Sequence, residues 1–162
     1  MPPVLNLADI PLALQAYGEK FACETGQIGR VLGAERLGCR LVVVPPGKRG
    51  WPLHSHFHNE EMFVILSGRG TLRLGEETHP VREGDVIVCT AGGAETAHQL
   101  IAGEQPLRYL AISTMNQPDI CLYPDSGKVW LSAGAPPGGA KDQRMLDHVT
   151  RLGEDLDYWE GE

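Results

Sequence analysis

Between Arg36 and Thr114 the chain reads as short apolar runs separated by turn residues. In Arg36 to Val44 (RLGCRLVVV), Leu37, Cys39, Leu41 and Val43 alternate with Arg36, Gly38, Arg40 and Val42, the period of a strand. The run Met62 to Leu66 is apolar on both parities. Phe63 and Ile65 share the face of Glu61 while Met62, Val64 and Leu66 point the other way, so this strand needs cover on two sides. Thr71 to Leu74, Val86 to Cys89, Ala97 to Ala102 and Leu107 to Thr114 follow, divided by turns at Gly68, Gly75, Gly84 and Gly103. Six or seven short strands about one turn apart predict an all-β sandwich or barrel. The pattern alone does not choose between an immunoglobulin-like sandwich and a jelly roll.

The flanks read differently. Asp9 can cap a short helix through about Tyr17 that Gly18 ends, with an irregular lead-in strand as the other reading. Beyond Gln117, Tyr123-Pro124-Asp125-Ser126-Gly127-Lys128 predicts a turn, and Gly134 to Ala140 (GAPPGGA) a linker. Residues 141–152 predict a short helix with Met145, Val149 and Leu152 on one stripe. The end, DLDYWEGE, is acidic but carries Tyr158 and Trp159. The expected organisation is a lead-in over 1–35, a barrel over 36–114, and an extension over 115–162 packed on the barrel or on a partner subunit.

Composition narrows the function classes. The 162 residues suit one domain. With 20 glycines and 12 prolines, about a fifth of the chain punctuates rather than builds long helices. A net charge of −7 argues against nucleic acid, which asks for a basic stripe, and gives a membrane surface nothing to hold. The four cysteines, Cys23, Cys39, Cys89 and Cys121, show no C-x-x-C spacing; Cys39 and Cys89 fall in apolar strands and are expected as small buried hydrophobes. The N-terminal MPPVLNLADIP has no basic region ahead of an apolar core, and no window approaches ~18 apolar residues. A cytoplasmic location is the expectation.

The chemistry concentrates in Gly47 to Gly70, GKRGWPLHSHFHNEEMFVILSGRG. Three of the six histidines, His54, His56 and His58, fall within five residues. Residues at i and i+2 of a strand share a face, so His54 and His56 can bring two imidazoles to one point. Glu61 opens the returning strand and adds a carboxylate. Two imidazoles and a carboxylate make a divalent-metal site, with bonds of roughly 2.0–2.2 Å if the ion is zinc. His98, on a later strand, is a fourth candidate. Imidazole suits zinc, iron, nickel and copper, and the carboxylate also admits manganese, so the donors imply one divalent transition metal (Zn, Fe, Mn or Ni) without naming it. His79 sits in a polar hairpin and is read as solvated.

The spacing His54-x-His56-x4-Glu61-x6-Gly68, followed by Gly84-x5-Thr90-x-Gly92 and then His98, resembles the two-part motif of the cupin superfamily across residues 36–114. Thr90 stands where that family usually has proline, and five residues, rather than the usual two, separate Gly92 from His98. The phrases VPPGKR, NEEMFVILSG, GGAETAHQ, LRYLAIST and YPDSGK resemble small bacterial single-domain cupins labelled sugar-phosphate isomerase-like. The resemblance implies a double-stranded β-helix, a jelly-roll barrel with short appendages at both ends. It also implies that His54, His56, Glu61 and His98 hold the metal.

Three functions then compete. The first is a metal-dependent enzyme on a small anionic, oxygenated substrate, preferably an isomerase of a sugar or sugar phosphate. His58 is its candidate base, and Lys48, Arg49, Phe63 and Arg108 are its candidate substrate contacts. Arg108 and Tyr109 have opposite parity, so one of them faces inward. The second is a non-catalytic metabolite-binding cupin, and the third a non-haem dioxygenase. The two-sided strand Met62 to Leu66 points to a homodimer, and Tyr158 and Trp159 to a latch across the barrel or onto the neighbour.

Overall fold

A computed structural model describes residues 3–153 and 155–162. Its strands are β1 (Ala13–Tyr17), β2 (Phe21–Gln27), β3 (Leu37–Val44), β4 (Ser55–His56), β5 (Glu61–Ser67), β6 (Arg69–Leu74) and β7 (Glu77–Arg82). They continue with β8 (Val86–Cys89), β9 (His98–Ala102), β10 (Leu107–Thr114), β11 (Asp119–Tyr123), β12 (Lys128–Ala133) and β13 (Leu146–Arg151). Three single 3-10 turns, at Ala94–Thr96, Pro124–Ser126 and Lys141–Gln143, are the helical elements among the described residues.

One sheet runs β1-β2-β3-β10-β5-β8. Facing it, β7-β6-β9 and β13-β12-β11-β4 meet where His54 bridges His98 and Arg49 bridges Ile101. All strand pairs are antiparallel. The result is a double-stranded β-helix of the cupin type, so the jelly roll, not the sandwich with immunoglobulin order, is the fold.

Between the sheets lies a core of Val42, Val44, Phe63, Ile65, Leu72, Val81, Cys89, Leu100, Leu107 and Tyr109. Phe63 and Ile65 are buried as their parity demands, while Met62 stands on the outer face. A β-bulge between Arg108 and Tyr109 accompanies the split of that pair. Tyr109 is buried in the core, and Arg108 turns out to donate to the Leu7 carbonyl of the lead-in.

Of the two readings of the lead-in, the strand is the one found, and the helix expected over 141–152 is a single 3-10 turn followed by a strand. Residues 13–17 pair with β2, Ala13 opposite Thr25 and Tyr17 opposite Phe21, as the edge of the first sheet. Residues 146–151 pair with β12, Leu146 opposite Ala133 and Arg151 opposite Lys128. Met145, Val149 and Leu152 are exposed there, so the stripe they form at helical spacing buries nothing. The GAPPGGA stretch does not separate domains. It folds over the open end of the barrel, burying Ala135, and Gly134 and Gly138 take φ of 91° and 82° to make the crossing. Tyr158 and Trp159 stack edge to face on one another and are exposed, so within the chain they latch nothing.

Candidate metal centre

Each member of the quartet sits at a strand position that backbone pairing fixes. His54 and His98 exchange both backbone hydrogen bonds, His54 N to His98 O at 3.3 Å and His98 N to His54 O at 2.8 Å. His56 pairs with Cys121 across β4 and β11, and Glu61 opens β5 opposite Ser113. The long loop before His98 is taken up by the Ala94–Thr96 turn, where the Glu95 carboxylate accepts from Gly93 N at 2.9 Å. His98 therefore enters β9 at the same end of the barrel as the other three.

The rings converge. The His54 centroid lies 5.0 Å from that of His56 and 4.9 Å from that of His98. Glu61 Oε2 lies 2.7 Å from His98 Nε2 and 3.9 Å from His56 Nε2. The donor atoms of His54, Glu61 and His98 all fall within 4.8 Å of one another. Every Nδ1 is engaged from behind: His54 by the Pro52 carbonyl at 2.9 Å, His56 by Asp119 Oδ2 at 2.7 Å, and His98 by the Thr96 carbonyl at 3.2 Å. A ring that donates from Nδ1 keeps its Nε2 lone pair for the centre.

His56 Nε2 supplies the test of fit. It is buried and, among the described residues, has no hydrogen-bond partner. An orphaned buried nitrogen costs about 1–3 kcal/mol, and a cation between His56, His54, Glu61 and His98 satisfies it. The residues fit a divalent ion, held by three neutral imidazoles and one carboxylate. Asp119 and Cys121 approach His56 at its outer nitrogen, Cys121 Sγ at 3.2 Å, so they back the ring rather than build a second site.

Electrostatics follow the same geometry. Burial pulls His54 down to about 3, reinforced by the charges of His98 and His56, so it is neutral. Burial acts the same way on His56, but Asp119 and then Cys121 override it and hold the ring at about 10. His98 is also desolvated, yet Cys89 and Glu61 bring it to about 10. Burial opposes ionisation of Glu61, but His98, His56 and His54 outweigh it and hold the carboxyl far below its usual range.

The centre opens into a cavity of about 820 Å³ between the barrel mouth and the 134–140 crossing. Phe63 lines it, as expected of its face, 5.6 Å from the His98 ring. The other predicted substrate contacts lie elsewhere. Lys48 reaches back to the Glu19 carbonyl in the β1–β2 turn. Arg49 helps depress the Asp125 carboxyl, which Arg73 chiefly holds down, on a part of the surface outside the cavity lining. Arg108 is tied to the lead-in. His58 is exposed, with Nδ1 on the Pro118 carbonyl at 2.9 Å, and does not line the cavity. Its parity fails because the strand stops at His56 and Phe57 to Glu60 turn away.

Sequence reasoning missed Asp119, Arg40, Trp51 and Tyr123, the last stacked at 5.9 Å on His54. Two signals were present: an Asp opening the apolar strand DICLY, and an Arg on the same parity as Val42 and Val44.

Residues 40–113 match the family described as Cupin domain. An uncharacterized protein of Methanocaldococcus jannaschii is 36% identical over 72 residues, covering 44% of this chain and 54% of that one. An auxin-binding protein of Nicotiana tabacum is 35% identical over 80 residues, covering 49% and 41%. The chain thus matches about half the length of these curated relatives. Among solved structures, a sugar phosphate isomerase from a cupin superfamily of Silicibacter pomeroyi superposes with a TM-score of 0.77 at 21% identity, covering 96% of this chain and 98% of that one. A provisionally labelled sugar phosphate isomerase of Acidithiobacillus ferrooxidans gives 0.78 at 21% identity and 96% coverage of both. At these identities the structures establish the fold. Residues 40–113 thus carry the match to the Cupin domain family, and the chain has the double-stranded β-helix of these structures, with the four-residue centre at its mouth.

Proposed function

We propose that the protein is a metal-dependent enzyme acting on a small, oxygenated anion, an isomerase of a sugar or sugar phosphate in the first instance. The observation that carries this reading is the buried, unpartnered His56 Nε2 facing Glu61 at the floor of the cavity. A divalent zinc, iron, manganese or nickel ion held there would act as a Lewis acid on adjacent oxygens of a substrate. The chain's own residues orient that centre. Pro52, Asp119 and Thr96 fix the three rings, Phe63 gives the substrate an apolar wall, and Tyr123 beside His54 offers a phenol that burial keeps protonated, so it donates.

A second reading, a metabolite-binding cupin without turnover, is favoured by the lining itself. Beyond the quartet, the described residues place no imidazole in the cavity. The dioxygenase alternative stands on the donor set alone.

The test has two parts. His54→Ala with His56→Ala should bring bound metal to background while the circular dichroism stays that of a folded β-protein; unchanged stoichiometry by elemental analysis removes the centre. Metal-loaded wild type should then convert at least one member of a panel of phosphorylated aldoses and ketoses. Binding without conversion selects the second reading, and substrate-dependent oxygen uptake by the ferrous protein selects the third.

The homodimer belongs to this proposal. Met62 lies opposite Val88 and Val64 opposite Val86, and Met62, Val86 and Val88 are exposed as an apolar strip on the outer face of β5 and β8. A second copy is the cover we assign to it. A monomeric mass by light scattering at all accessible concentrations would reject that assignment.

A further inference from the structure

We propose that Arg40 is the anion-recognising residue of the cavity. Its guanidinium, set between Trp51 and the Gly138 backbone, grips the carboxylate or phosphate of a ligand whose oxygenated end faces the His54–His56–Glu61–His98 centre. The inference rests on the functional reading above and names the group that reading lacked, since Lys48, Arg49 and Arg108 all lie outside the cavity.

Arg40 occupies the inward parity of β3, in line with the core residues Val42 and Val44. A charge on a core-facing position is costly unless something compensates it. Of the other cations that line the cavity, Arg144 pairs with Asp147 at 3.0 Å, while Arg30 and Lys141 are exposed to solvent. Arg40 has neither an ion pair nor a side-chain hydrogen bond among the described residues. Its guanidinium carbon stands 5.6 Å from the Trp51 ring centroid, and a Cβ on Gly138 would meet its Nη2. Trp51 gives a cation–π contact of about 0.5–1 kcal/mol, which holds the group without using its donors.

The charge acts inside the barrel. It is felt by the Cys23 and Cys39 thiols and by the Tyr109 phenol, opposing in each the upward push of burial. Five N–H donors in a rigid fork, facing a cavity and lacking acceptors, match an oxyanion taken in bidentate fashion.

The register sets the size of the ligand. β10 lies between β3 and β5, with Ala111 opposite both Arg40 and Phe63. Two strand spacings of about 4.8 Å put Arg40 and Phe63 roughly 10 Å apart at the backbone. Glu61, two residues before Phe63, shares its face. A molecule of a few carbons, with an anionic group at one end and oxygens at the other, spans the distance left between the side chains. Carboxylate and phosphate offer the same chemistry to the fork, and experiment separates them.

The probes are inorganic phosphate and malonate, titrated into metal-free wild type, Arg40→Gln and Arg40→Lys, with tryptophan fluorescence as the readout because Trp51 underlies the guanidinium. Wild type should bind at least one probe, and Arg40→Gln should weaken it by more than about tenfold, with zinc stoichiometry unchanged on reloading. The tighter probe identifies the anion. Equal binding in wild type and Arg40→Gln, or no binding of either probe by wild type, overturns the proposal. If Arg40→Gln fails to fold, Arg40→Lys decides: it keeps the charge but not the fork, so weaker binding supports the clamp and unchanged binding refutes it. A protein that takes up zinc but binds no oxyanion through Arg40 fails this inference alone. One that binds oxyanion through Arg40 but takes up no metal fails the functional reading alone.

Discussion

His56 Nδ1 donates to Asp119 Oδ2 across 2.7 Å, although 63 residues separate the two in sequence. Asp119 is almost wholly buried and also accepts from the backbone N–H groups of His58 and Ile120, each at 3.0 Å. One carboxylate therefore orients a ligand ring and pins the turn that carries the chain away from it. Asp119→Asn should leave the fold intact and weaken metal binding by about 10–100-fold, the usual effect of losing a partner behind a ligating histidine. Competition against a chelator of known affinity measures it; unchanged affinity would show that the 2.7 Å contact does not matter to the ring.

The Arg73–Asp125 pair predicts a pH-dependent contribution to stability. Arg73 holds the Asp125 carboxyl below its ordinary value, with two hydrogen bonds of 2.7 and 3.0 Å. A depressed carboxylate stabilises the fold above its unfolded pKa, near 3.9, and loses that contribution as pH falls through the folded value. Asp125 is half exposed, so the gain is under about 1 kcal/mol. Arg73→Gln should lower Tm by about 1–3 °C at pH 7 and by less at pH 3. A difference of the same size at both pH values would assign the whole effect to the Arg73–Gln99 hydrogen bond instead.

Gly138 lies in the crossing above Arg40 at a φ of 82°. Gly138→Ala places a methyl group against Arg40 Nη2 and costs roughly 1–2 kcal/mol of backbone strain. We expect weaker oxyanion binding, a Tm lower by a few degrees, and unaltered zinc content. Wild-type oxyanion affinity in this variant would mean that the crossing moves freely away from Arg40.

Deleting residues 153–162 should leave Tm unchanged, since Tyr158 and Trp159 are exposed and touch each other. A lower melting temperature together with a halved mass by light scattering would instead place these aromatics on a partner subunit.

The quartet was legible because three of its members lie in eight consecutive residues, where strand parity and one turn decide who meets whom. His98 was a candidate from its strand, the family resemblance joined it to the other three, and its reach across a lengthened loop needed the Ala94–Thr96 turn. Asp119 and Arg40 depend on which strands become neighbours, and a single chain's periodicity does not carry that. The two expected helices rested on local signals that edge strands also carry. At the N-terminus the capping signals at Asp9 and Gly18 flank an edge strand, and at the C-terminus the apolar spacing of Met145, Val149 and Leu152 mimics a helical stripe while exposed. Pairing with β2 and β12, not burial of a face, decided their conformation. His58 was lost because the strand ends at His56, two residues before it.

The mutual backbone bonds between His54 and His98 have a consequence for the life of the protein. Two of the four donors are positioned by the peptide ladder, so the vessel is finished before anything is poured into it. A chelator should strip the centre without unravelling the chain, and added ion should return at the speed of diffusion rather than of refolding, unlike domains for which metal is the nucleus of the fold. On the proposed function, protein deprived of metal would stay assembled and ready to rebind it, with no new synthesis.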